Sequence, residues 1–190
     1  MTSSPSESFR RERFADPGAG AADTRHAQRT LALLLAQDGS TTRLCEAIAA
    51  APVTLQVLHQ GITADVPQVV RAALPGTRFI ERITCLAAHG EVMMDNLAYI
   101  ALDGLAADLQ RELESGSVPI GHLLARLWVR RAPLNDVHEL QQRLWHSVGQ
   151  PDPAATRSYT ITTPEGPRMV IAETYRRGML MDRHRPATAT

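Results

Sequence analysis

Two pairs of strand-like segments, each joined by a turn of two or three residues, constrain this chain more than any other feature. Residues 78–87 reach the turn Ala88-His89-Gly90, and a second segment runs from Glu91 to Ala101. Near the other end, 156–163 places Tyr159, Ile161 and Thr163 on one face, Pro164-Glu165-Gly166 turns, and 168–177 returns. Connections this short can close only antiparallel hairpins, because parallel strands need a crossover of a dozen or more residues. A further strand is predicted over 53–61, where Val53, Leu55, Val57 and His59 alternate with Thr54, Gln56, Leu58 and Gln60.

Helical spacing appears in other places. Ala27, Leu31, Leu34 and Leu35 fall on one helical face, with Thr24 as the expected N-cap and Asp38-Gly39 as the stop. Ser40 then caps a short helix carrying Leu44, Cys45 and Ile48. Leu105, Leu109 and Leu113 predict a helix over 103–115, ended by Val118-Pro119-Ile120-Gly121. Between Trp128 and Val148 the pattern admits either state: Val137, Leu140 and Leu144 suit a helix, and Leu134, Asp136, His138 and Leu140 suit a strand. The expected fold is therefore α+β, a single antiparallel sheet of about five or six strands. The helices are expected to pack on one face. Residues 1–24, rich in Ser, Pro, Gly and Arg, read as a disordered arm; 25–181 form the domain, and 182–190 a loose tail.

A chain of 190 residues with a net charge of zero offers no global field for nucleic acid or an anionic membrane, so an anion site must be built locally. The run Arg10-Arg11-Glu12-Arg13 reads as a solvated part of the arm. Two cysteines, Cys45 and Cys85, with no CxxC spacing argue against a disulfide framework and fit a reducing cytoplasm. No apolar run approaches the roughly 18–20 residues needed to span a bilayer. There is no Gly-rich phosphate loop, no nucleophile elbow and no HExxH motif. The seven histidines are scattered with no i,i+4 pair, so no metal site is expected.

Five segments, in order, resemble the chorismate pyruvate-lyase family over roughly residues 28–178. They are the stretch from Leu33 to Leu44, an apolar helix followed by Asp38-Gly39-Ser40-Thr41-Thr42-Arg43; the strand from Val53 to Gly61; and Arg82, followed eight residues later by Gly90-Glu91. The last two are Pro119-Ile120-Gly121, similar to the family's Pro-Leu-Gly, and Pro167-Arg168-Met169-Val170-Ile171-Ala172-Glu173, similar to its last strand. The likeness is to the divergent bacterial and archaeal branch rather than to the ubiquinone-pathway enzymes.

The resemblance implies an enzyme that eliminates pyruvate from chorismate to leave a hydroxybenzoate, most simply 4-hydroxybenzoate, with no cofactor. Its partner would be this small molecule, not nucleic acid or membrane. In the family an arginine on a central strand and a glutamate on the last strand flank the aromatic acid, and two turns complete the pocket. Carried over, these positions are Arg82 and Glu173 as catalytic and substrate-binding residues, with Thr41 and Ile120 as further substrate contacts. The residues themselves give some support. Glu173 shares a strand face with Met169, Ile171 and Tyr175, where an unpaired carboxylate would be costly; either a ligand site or a structural salt bridge explains it. Arg82 shares its face with Ile80, Thr84 and Leu86, and an inward arginine suits a carboxylate partner.

The chain departs from the ubiquinone-pathway enzymes on the third strand, where their second arginine is aligned with Leu97; Arg43 and Arg157 are candidates for the missing charge. Two other functions stay open. One is an aromatic-acid-binding domain without turnover, as in the effector domains of winged-helix regulators of the same fold. The other is a related lyase releasing another hydroxybenzoate isomer.

Overall fold

The computed structural model describes residues 9–15, 20–103, 110–111 and 128–180. Chain order is α1 (Ala21–Ala36), α2 (Thr41–Ala49), β1 (Thr54–Thr63), α3 (Gln68–Ala73), β2 (Phe79–Ala88), β3 (Glu91–Ala101), β4 (Arg130–Pro133), α4 (His138–Val148), β5 (Thr156–Thr163) and β6 (Gly166–Tyr175). Single 3-10 turns at Pro153–Ala155 and Arg177–Leu180 follow α4 and β6. The strands form one six-stranded sheet in the order β1-β2-β3-β6-β5-β4, every pair antiparallel. The β2–β3 hairpin turns through His89 (φ 52°) and Gly90 (φ 81°). A two-residue turn with both φ values positive matches the right-handed twist of the strands it joins.

Register decides what each face carries, because side chains alternate along a strand. Ile80, Arg82, Thr84 and Leu86 of β2 share a face with Met94, Asn96, Ala98 and Ile100 of β3 and with Met169, Ile171, Glu173 and Tyr175 of β6. Over one end of this face, α1 and α2 bury Leu34, Cys45 and Ala49 against Leu86, Met94 and Tyr175. The opposite face presents Phe79, Ile83, Leu97, Tyr99, Val170 and Ala172, packed against Val70 of α3 and Leu140 and Leu144 of α4. Both α4 leucines are fully buried, each worth about 1.5–3 kcal/mol of apolar transfer. Helices thus cover both faces, not the single face expected. The alternation along these strands shows which side chains face each other, but not that both layers are apolar enough to need a cover.

The stretch 128–148, open between two states, resolves into a four-residue edge strand, β4, and then α4, which ends at Gly149 in the left-handed region (φ 68°). Helix α1 starts at Ala21 with Gly20 as N-cap, and the Thr24 hydroxyl, expected as that cap, donates to Gly20 O at 3.0 Å. Ser40 caps α2 as expected. The disordered-arm expectation fails for residues 9–15. Arg10 exchanges backbone hydrogen bonds of 2.9 Å with Gly90 O and Val92 N–H, and the Phe14 side chain is buried in the core. Of the helix expected over 103–115, Gln110 and Arg111 are helical. Its remainder, apart from Asp103, lies outside the described residues, as do Pro119-Ile120-Gly121 and the tail 182–190. No helix among the described residues is long and apolar enough to cross a membrane.

Candidate functional site

β6 alternates Met169, Ile171, Glu173 and Tyr175 onto the α1–α2 face, so the strand that builds the core also carries a carboxylate into it. Glu173 is 1% exposed. Such a group survives burial only when charge and hydrogen bonds are both met. Arg157 stands opposite it in the β5–β6 register, and its Nε and Nη2 both lie 2.6 Å from Glu173 Oε1. The Tyr175 hydroxyl lies 3.0 Å from Oε1 and the Tyr159 hydroxyl 3.1 Å from Oε2. Thr41, at the first turn of α2, brings its hydroxyl to 3.0 and 3.2 Å from the two oxygens.

Arg157 also ties the site to the helices. Its Nη1 donates to the carbonyls of Leu35 and Gln37 where α1 ends, and its Nη2 donates to Thr41 Oγ1 at 3.2 Å. The guanidinium lies 5.1 Å from the Tyr159 ring centroid and 5.6 Å from that of Tyr175, within cation–π range. Burial alone would lower the Arg157 pKa, but the Glu173 charge, with Tyr175 and Tyr159, raises it overall. Burial first, and then the Glu173 charge, pushes both tyrosine hydroxyls well above their usual range, so both remain donors.

Arg82 is fully buried on the same face of β2, and burial draws its pKa down from the ordinary arginine value. An arginine still holds its proton there. β3 separates β2 from β6, so Arg82 and Glu173 stand two strand spacings apart, roughly 10 Å across the sheet and about 7 Å along it. Between them lie Asn96 and Ala98, the former in register with Thr84 and Glu173 and the latter with Arg82 and Ile171. Beside Arg157 and Tyr159 a cavity of about 170 Å³ opens, bounded by Gln37 and Asp38 and by Arg131 and Pro133.

The structure therefore brings Glu173 and Thr41 into contact and sets Arg82 on the same face. Ile120 lies outside the described residues. Leu97 does not face this site: it points to the α3–α4 face, in register with Ile83 and Ala172. Of the two arginines considered for the missing charge, Arg157 joins the cluster, whereas Arg43 is exposed on α2. Gln37, Tyr159 and Tyr175 were not picked out from sequence as site residues, and neither was Asn96. The signal available for Asn96 was a lone carboxamide among apolar residues on β3.

A larger groove, about 750 Å³, runs along α4 on the opposite face past Glu81, Ile83, Arg143, Trp145 and His146. Three of its charged side chains are engaged: Glu81 accepts from the buried Tyr99 hydroxyl, and Arg143 reaches that hydroxyl at 3.4 Å and Glu139 at 3.2 Å. Among the described residues no group of three or more His, Cys, Asp or Glu side chains could hold a metal ion.

A family model described as chorismate pyruvate-lyase Rv2949c-like matches residues 35–182. The chain belongs to this family. The match takes in Arg82, Glu173, Thr41 and every partner named above in the Glu173 cluster. No curated protein matches the chain. Among solved structures, it is similar to a possible transcriptional regulator, YydK, from Bacillus subtilis subsp. subtilis str. 168, at 12% identity and a TM-score of 0.40 over 65% of this chain. It spans 57% of the length of that protein. It is also similar to the C-terminal domain of the histidine utilization repressor from Pseudomonas syringae pv. tomato str. DC3000, at 10% identity and a TM-score of 0.41, over 73% of this chain and 98% of that domain. Likeness at this level fixes neither ligand nor activity.

Proposed function

We propose that this chorismate pyruvate-lyase family member eliminates pyruvate from chorismate to leave 4-hydroxybenzoate, with the reacting molecule held on the Glu173 face of the sheet. The observation that carries this reading is the pair of buried, oppositely charged side chains, Arg82 and Glu173, on one face of β2 and β6. Arg82 takes the ring carboxylate, which its planar fork can bind through both oxygens. Glu173 and Thr41 build the far wall with Arg157 and the two tyrosines.

In this reaction the C–O bond to the enolpyruvyl group breaks and the ring carbon bearing the hydroxyl loses its hydrogen. The ring becomes aromatic, and the departing enolate takes up a proton at its methylene carbon to become pyruvate. Atoms balance without an oxidant, and aromatisation supplies the driving force. The residues on this face have to hold one conformer of a dianion, dry and correctly oriented. Glu173 does this indirectly. Its oxygens already accept from Arg157, Thr41, Tyr159 and Tyr175, which fills the roughly four acceptor sites of a carboxylate. It acts as the hub that fixes those side chains.

The same saturation favours a second reading, an aromatic-acid-binding protein without turnover, because the occupied carboxylate has no oxygen left to meet the reacting end of the molecule. Incubation of the purified protein with chorismate separates the two. Equal amounts of pyruvate and hydroxybenzoate, formed faster than in the protein-free control, are expected. Binding of hydroxybenzoate without formation of either product would establish the sensor instead.

A further inference from the structure

Resting on the reading that an aromatic acid lies between Arg82 and Glu173, we infer that Asn96 reads the hydroxyl group of that ligand and sets the preference for hydroxylated rings. Asn96 occupies the middle strand of the site, with Thr84 as its Cα partner on β2 and Glu173 on β6. Its neighbours on that face of β3 are Met94, Ala98 and Ile100, all apolar. The residue is 9% exposed, and its Oδ1 is buried with no hydrogen-bond partner among the described residues. A buried acceptor left without a donor is destabilising, and native chains rarely keep one without a use for it.

The chemistry of the missing partner follows from the atom. An amide oxygen only accepts, so the group that completes it must donate. The carboxamide NH2 beside it donates, so a group that both donates and accepts satisfies both ends. An aromatic or alicyclic hydroxyl does this; a carboxylate or an ether oxygen cannot donate. Protein groups nearby do not fill the role: the hydroxyls of Tyr159, Tyr175 and Thr41 are directed at Glu173. With Glu173 occupied by those donors, recognition of the ligand hydroxyl falls to Asn96. A site built to bond a hydroxyl rejects the analogue that lacks it, because the buried group is then left unpaired.

The test is a ratio of affinities. Dissociation constants for benzoate, 3-hydroxybenzoate and 4-hydroxybenzoate are measured by calorimetry on the parent and on Asn96→Leu, which keeps the volume and removes both polar ends. The parent is expected to bind at least one hydroxybenzoate about tenfold or more tightly than benzoate. In Asn96→Leu that ratio should collapse to within about threefold, an effect that a purely structural asparagine would not produce. Thermal unfolding checks that the variant folds; if it does not, Asn96→Ala is subjected to the same comparison. An unchanged ratio in a folded variant overturns the role of Asn96 and leaves the site standing. A parent that binds none of the three acids overturns the site, and the inference with it.

Discussion

Two buried carboxylates sit on opposite faces of the sheet, each clamped by arginine. Asp95 of β3 is fully buried; Arg176 Nε donates to it at 2.7 Å, and Arg11 Nε at 3.0 and 3.1 Å. Arg11 belongs to the N-terminal segment, so this cluster fastens residues 9–15 to the sheet beside the Arg10 backbone pairing and the buried Phe14. Glu173 is paired at least as closely, but its partners come from the start of α2, from β5 and from β6 itself, and Arg82 and Asn96 share its face. Pairing alone therefore says nothing about function. What distinguishes the two is the company: the Asp95 cluster closes on a piece of chain, and the Glu173 cluster shares its face with two further buried polar side chains, Arg82 and Asn96.

The largest expected effect breaks the comparison by stability. Removing one member of a buried pair costs about 3–5 kcal/mol, because a charge is left behind. Asp95→Asn should cost more than Glu173→Gln in denaturant titrations, since it takes the counter-charge from two arginines, one of them fully buried, whereas Glu173→Gln takes it from Arg157 alone. Ligand affinity should sort the other way, retained in folded Asp95→Asn and lost in Glu173→Gln. Loss of hydroxybenzoate binding in both would make the clusters equivalent.

Next in size is Arg82. A charge-assisted contact to a carboxylate is worth about 1.5–3 kcal/mol, so Arg82→Ala should weaken hydroxybenzoate binding by about tenfold or more in calorimetry. Arg82→Lys should recover part of this, lacking the planar fork. Unchanged affinity in the alanine variant would make Arg82 structural, like Arg176.

The smallest effect concerns alkaline pH. Tyr159 and Tyr175 are pushed up by burial and then by Glu173, and Tyr99 on the other face by burial and then by its bond to Glu81. Each folded value lies above the unfolded one, near 10. The stability these groups contribute is thus fully present below about pH 10 and is lost as pH rises beyond it. Denaturant midpoints should fall above that pH, and less steeply in Tyr159→Phe. An equally steep fall in the variant would remove Tyr159 from the cluster.

Much of this was legible in the sequence. Period-two alternation and tight turns placed β1, β2, β3, β5 and β6 within two residues of their ends, because half-buried strands imprint that pattern directly. Glu173 and Arg82 stood out as charges among apolar neighbours. The contacts of Glu173 did not, although Thr41 and Arg157 were themselves candidates. Arg157, Thr41 and Tyr159 lie 16, 132 and 14 residues away in the chain, and only the strand register and the α1–α2 turn bring them to Glu173. Leu97 shows how fine the margin is, since one residue along a strand reverses the face, and Asn96 is the residue turned to the site. Residues 9–15 carry no periodicity, because one inserted phenylalanine, ion pairs to Glu91, Asp95 and Arg177, and the Arg10 backbone pairing hold them.

A crystal structure of the protein soaked with 4-hydroxybenzoate tests the central claim most directly, since the two faces offer the ligand different homes. The carboxylate is expected against Arg82, the ring over Ala98 and Ile171, and the hydroxyl within hydrogen-bond distance of Asn96. A ligand bound instead in the α4 groove, beside Arg143 and Trp145, would contradict the assignment of the site to the Glu173 face.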